Sequence, residues 1–171
     1  MMGLYKENKV PFNDVVLHGM VLDPLGKKMS KSKGNVVNPL EVTDQYGADA
    51  VRFALVYGTG LGNDQAMSYP KLESARKFTN KLWNMGRFIE MAEKDAGTSF
   101  EIVGSLKDLK TKVQKKENLE WIEKTESLVD QITKYIDGYQ FNLAAERIYE
   151  FAWHEFADTY IESVKKSLDR E

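Results

Sequence analysis

The residues best able to do chemistry stand together in one short stretch, Gly26-Lys27-Lys28-Met29-Ser30-Lys31-Ser32-Lys33-Gly34-Asn35. Four lysines and two serines lie between two glycines, and no acidic residue occurs from Pro24 to Leu40. Lysine supplies a compact mobile charge, serine a neutral hydroxyl donor, and glycine lets backbone approach a phosphate closely. The chemistry this suits is the holding of a polyanion. A solvated basic turn has the same composition, so the order of the residues has to decide. It is not a Walker loop, because the position five after Gly26 is Lys31 rather than glycine.

A loop of this kind needs anchored ends. Upstream, Val15-Val16-Leu17 is a short β-branched run expected to be a buried strand, and Met20-Val21-Leu22 a second one after a bend at Gly19. Asp23-Pro24-Leu25-Gly26 has turn chemistry. Downstream, Asn38-Pro39-Leu40-Glu41 reads as a helix start with Asn38 at N-cap, running to about Tyr46 with Gly47 beyond its end. Ala48 to Tyr57 reads as another helix, with Val51, Ala54 and Leu55 on one face. The glycine-rich stretch Gly58 to Asp64 reads as a flexible connector.

From Tyr69 the chain changes to long amphipathic helices. Leu72, Ala75, Phe78, Thr79, Leu82, Met85, Ile89 and Ala92 fall at helical steps, with Trp83 expected partly in the core. Lys107 to Lys116 holds five lysines against one aspartate and reads as a solvated linker or a salt-sensitive phosphate contact. Leu119 to Ile136 should be a helix with Ile122, Thr125, Val129, Ile132 and Ile136 inward and Gly138 as its cap. A last helix of about 26 residues, capped by Asn142, should bend near Trp153-His154, with His154 a satisfied structural histidine. Three such helices can cover one another as a bundle.

Composition bounds the rest. The 171 residues carry a formal charge of −2, so any nucleic-acid surface must be local. With no cysteine and only His18 and His154, no thiolate or histidine-rich metal site is expected. No apolar run approaches the roughly 20 residues that span a bilayer. A soluble, cytoplasmic protein is the expectation.

Lys28-Met29-Ser30-Lys31-Ser32 is letter for letter the KMSKS signature of class I aminoacyl-tRNA synthetases. Its continuation through Lys33-Gly34-Asn35-Val36-Val37-Asn38-Pro39 resembles the valyl, isoleucyl and leucyl branches of that family. Tyr46 to Leu55, Gly62-Asn63-Asp64, Ala75 to Asn84, Tyr139 to Asn142 and Tyr149 to Asp158 are similar to the valyl branch in particular.

The resemblance implies a mainly α fold: a helical anticodon-binding bundle at 69–171, preceded at 1–68 by the end of a Rossmann-like catalytic domain. It implies ATP-dependent activation of valine and transfer to tRNA. Lys28 and Lys31 would hold the triphosphate, Met29, Ser30 and Ser32 would line or support the ATP site, and His18 would stand near it. Mg²⁺ would arrive with ATP, with no metal held by these residues. Arg76, Lys77, Lys81 and Arg87 are the candidate tRNA contacts. The HIGH signature does not occur here, so the resemblance implies a piece that needs an N-terminal catalytic half and is inactive alone. A free-standing RNA-binding module that kept the loop is the alternative.

Overall fold

The computed structural model describes residues 2–95, 97 and 104–168. A short helix α1 (Met2–Glu7) is followed by irregular chain up to strand β1 (Val21–Leu22). Val15, Val16 and Leu17 are 70%, 41% and 75% exposed, so the expected buried strand is absent there. A β-branched run becomes a strand only beside a neighbour that completes its ladder. The neighbour here reaches no further back than Met20, whose carbonyl accepts Gln65 N–H at 2.8 Å.

That neighbour is β2 (Gln65–Ala66), parallel to β1 with Val21 opposite Gln65 and Leu22 opposite Ala66. Parallel strands require a crossover, and two helices provide it. They are α2 (Pro39–Tyr46) and α3 (Ala48–Val56). Asn38 caps α2 by accepting Leu40 N–H at 3.1 Å, and Gly47, at φ +90°, turns the chain between the two helices. The glycine-rich stretch is therefore more than a connector, because it delivers a strand to β1.

The long helix α4 (Tyr69–Asp95) packs its first turns on this unit. Val42, Ala50, Val51, Ala54, Met67, Leu72 and Ala75 form one buried cluster, with Val37, Tyr46 and Phe53 packed against it. Leu72 is fully buried. Beyond Phe78 the stripe on α4 is only partly covered: Met85 and Phe88 are half-buried, but Leu82 is 40% and Trp83 71% exposed. Trp83 is not a core residue, because α2 and α3 do not extend along this half of α4.

The lysine-rich stretch forms a helix, α5 (Leu106–Lys112), capped by Ser105, and Lys110 pairs with Glu126 at 2.6 Å. It docks on α6 (Lys116–Asp137), which buries Ile122 and Leu128. Val129 and Ile136 are about half exposed, so the inward face is rotated toward Leu128 from the expected one. Tyr139 at φ +56° turns the chain sharply, and helix α7 (Phe141–Glu150) begins before Asn142, with Gln140 at its cap position.

The expected long final helix is three pieces. After α7 comes a wide π-helical segment, Phe151–Ile161, and then α8 (Glu162–Leu168). The widened turns leave the His154 side chain half exposed, 3.6 Å from Asp158 Oδ2, rather than packed inside. Aromatic rings join the halves of the molecule. Phe78 meets Phe53 at 4.8 Å and Tyr149 at 4.9 Å, and Tyr149 meets Trp153 at 5.5 Å. Each such pair adds about 0.5–1.5 kcal/mol beyond its area.

Candidate functional site

The lysine stretch is a loop tied at its root by one buried carboxylate. Asp23 is 4% exposed. Its Oδ1 accepts the backbone N–H of Leu25 at 3.0 Å and of Lys27 at 2.7 Å, and its Oδ2 accepts from Asn35 Nδ2 at 2.8 Å. These donors hold the Asp23 carboxyl below the usual carboxylate range, the Lys27 N–H contributing most and the Asn35 amide next. Asp23 N–H donates in turn to the Lys27 carbonyl at 2.9 Å, and Gly26, at φ +74°, closes the turn onto the Asp23 carbonyl. An Asp-Pro pair followed by glycine is what folds this way locally.

Asn35 joins the far end of the loop to the near one. Its Nδ2 also donates to the Lys28 carbonyl at 3.2 Å, and its Oδ1 accepts Ser30 N–H at 2.9 Å. Lys28 is bridged to Leu22 in antiparallel fashion, so the root extends β1. Met29 is half-buried, with its Sδ 3.3 Å from Val37 N.

Beyond the root, Lys31–Lys33 form a single 3-10 turn, ended by Gly34 in the left-handed region at φ +65°. Ser30 and Ser32 share a hydroxyl hydrogen bond of 2.7 Å. Lys27, Lys28, Lys31 and Lys33 are all exposed, and none forms an ion pair among the described residues. Exposed cations that form no ion pair are free to meet an incoming negative charge.

His18 lies elsewhere. It is exposed, with Nδ1 2.7 Å from the Gly19 carbonyl oxygen, on the wall of a groove with Val16, Leu55, Leu61 and Phe141. None of the loop lysines lines that groove.

The four cations expected on α4 are not equivalent. Arg76 is clamped in both directions onto Glu73, Nε to Oε2 at 3.1 Å and Nη2 to Oε1 at 3.0 Å. Lys81 binds Asp158 at 2.6 Å and sits 4.7 Å from the centre of the Trp153 ring. Lys77 and Arg87 are exposed and form no ion pair among the described residues. Lys77 opens onto a groove of about 380 Å³ shared with Asn80, Asn84, Phe88 and Trp153.

From the sequence Asp23 reads only as a turn residue and Asn35 only as part of the signature's continuation, and neither reading pairs the two. The available signal was an acid placed just before a run with none, and an asparagine just after the closing glycine.

Residues 1–68 match the family described as tRNA synthetases class I (I, L, M and V). Residues 119–171 match the anticodon-binding domain of tRNA ligase. The chain is 41% identical, over 98% of its length, to the Valine--tRNA ligase of Dehalococcoides mccartyi (strain CBDB1). It is 43% identical over 95% of its length to that of Clostridium acetobutylicum. The chain carries part of a class I tRNA synthetase domain followed by part of a tRNA ligase anticodon-binding domain.

It spans 18% of the length of each of these two relatives. Among solved structures, the chain resembles the LeuRS of an Agrobacterium radiobacter K84 LeuRS-tRNA-LeuAMS ternary complex. The TM-score is 0.64 at 25% identity, over 79% of this chain and 16% of that one. The fold is accordingly a helical anticodon-binding type of bundle with a small β/α unit before it. In these synthetase terms the lysine loop lies in the class I match, and most of α6 with all of α7 and α8 lies in the anticodon-binding match. The cations of α4 fall between the two matched ranges. Among the described residues, no helix is long and apolar enough to cross a membrane, and no cluster of three or more acids and histidines could hold a metal.

Proposed function

We propose that this chain supplies the adenylation loop and the tRNA-binding helices of a valine–tRNA ligase acting in the cytoplasm. Valine carboxylate attacks the α-phosphorus of Mg²⁺-bound ATP, pyrophosphate leaves, and the valyl group then passes from the adenylate to tRNA. Residues 1–68 act as the end of the catalytic domain and 69–171 as the anticodon-binding domain, working with an N-terminal catalytic half.

Lys28 and Lys31 neutralise charge on the triphosphate as the bond to pyrophosphate breaks. Their worth comes from being placed before charge develops, with no carboxylate to displace. Met29 lies by the nucleotide and Ser30 and Ser32 donate hydroxyl hydrogen bonds, while His18, on the separate groove with Leu55 and Phe141, takes no part in this site. Arg76, Lys77, Lys81 and Arg87 face the tRNA backbone, with Lys77 and Arg87 the two that need break no ion pair.

The observation that carries this reading is the set of four unpartnered lysines on a loop rooted by Asp23 and Asn35, in a chain similar throughout to Valine--tRNA ligases. The test is a chimera in which these 171 residues replace their counterpart in the Clostridium acetobutylicum enzyme. Valine-dependent exchange of pyrophosphate into ATP is expected from the chimera and none from the 171 residues alone. A chimera that folds and binds valine yet exchanges no faster than its Lys28→Ala/Lys31→Ala variant would refute the assignment.

A further inference from the structure

Asp23 and Asn35 divide the lysine loop into two mechanical parts. We propose that this brace is a positioning device for adenylation. It fixes Lys28 in a rigid root and leaves Lys31 on a tip that swings about Ser30 and Gly34. The functional half of this inference rests on the adenylation reading above.

The hydrogen bonds draw the division. Apart from their bond to each other, the Asp23 and Asn35 side chains spend every bond on backbone between Leu25 and Ser30. The tip, Lys31 to Gly34, receives none of them. Its bonds are local: Lys33 N–H to Ser30 O at 3.1 Å, Gly34 N–H to Lys31 O at 3.2 Å, and Ser32 hydroxyl to Ser30 hydroxyl. A segment held by few, exposed, local bonds opens more readily than one tied to a buried group. Ser30 is extended at φ −150° and Gly34 left-handed, so the backbone changes character at both pivots.

The chemistry of the pair is specific. Asn35 needs a donor toward Asp23 and Lys28 and an acceptor toward Ser30, which an amide has and a carboxylate lacks. Asn35→Asp sets two carboxylates face to face. Asp23→Asn keeps an acceptor for Leu25 and Lys27 but turns an amide N–H toward the Asn35 N–H. Exchanging both restores one donor facing one acceptor between the two side chains and keeps an acceptor for Ser30 N–H, while the Lys28 carbonyl loses its donor, so recovery is partial. Neither residue reaches substrate in this scheme. Both act through Lys28 and the pivot at Ser30.

The test in the active chimera is a double-mutant cycle on pyrophosphate exchange. Each single variant should lower kcat/KM for ATP about thirtyfold with KM for valine unchanged, and the double exchange should recover about tenfold over the worse single. Additive losses, or equal losses toward valine and ATP, would overturn the positioning role. Amide hydrogen exchange in the 171-residue chain tests the brace without any activity. Ser30 N–H should exchange about tenfold more slowly than Ser32 N–H, and Asn35→Ala should erase the difference. Equal rates in the unsubstituted chain would overturn the brace. A chimera inactive with its native loop would refute the adenylation reading instead, with amide exchange still deciding the brace.

Discussion

The Asn63 carbonyl oxygen occupies the place where a Cβ on residue 19 would stand, 1.9 Å from that ideal position. The carbonyl carbon of Asn63 would be 2.2 Å away and Asp64 N 2.6 Å. Only glycine allows this crossing, and one residue on, Met20 N–H donates to Asp64 Oδ1 at 2.7 Å. The contact is what lets β1 and β2 pair, and the lysine loop grows directly from the end of β1.

Gly19→Ala should therefore destabilise the chain by about 1–3 kcal/mol, since backbone rather than a flexible side chain must give way. Gly86→Ala should do the opposite. Gly86 lies inside α4 with nothing within 4 Å of a Cβ added there. Removing glycine's excess freedom from a helix interior stabilises by roughly 0.5–1 kcal/mol. Urea unfolding of the two variants beside the parent checks both signs at once.

Acid should loosen the loop before it unfolds the molecule. Because the folded Asp23 carboxyl lies below the usual carboxylate range, its bonds contribute fully above that range. They are lost as pH falls through the lowered value. Protection of the Lys27 amide, corrected for intrinsic exchange, should hold from neutrality down through the ordinary carboxylate range and decline only below it. In Asp23→Asn the protection should be flat across that interval. A decline near neutrality in the parent chain would contradict the assignment.

Binding of tRNA should separate the α4 cations by their existing partners. Lys77→Ala and Arg87→Ala should each reduce the slope of log K against log salt by about one. Arg76→Ala and Lys81→Ala should change it less, because Glu73 and Asp158 already occupy those charges. Trp83→Ala, at an exposed position, should leave stability within about 0.5 kcal/mol. Fluorescence titration at several salt concentrations and thermal unfolding read these out.

What the sequence disclosed was local. Asn38 with Pro39 and Glu41 announces a helix start, Asp23 to Gly26 announces a turn, and the lysine order announces the match to class I tRNA synthetases. What it hid depends on residues far apart in the chain. The pairing of Val21 with Gln65 needs a crossover of two helices, and nothing in Gly58 to Asp64 shows that a strand follows. Trp83 keeps the helical spacing of a core residue, but cover is only partial beyond Phe78. On α6, Leu128 and Val129 are equally apolar, and only the position of α7 decides which turns inward. Asp23 reads as a turn residue and Asn35 as part of the signature's continuation until the fold brings their side chains to 2.8 Å.

On the adenylation reading, Lys31 stabilises the departing pyrophosphate. The most direct measurement is single-turnover valyl-adenylate formation by the chimera carrying Lys31→Ala. The account predicts a rate lower by about a hundredfold or more, with valine affinity unchanged. An unchanged rate, or a loss confined to valine binding, would contradict it.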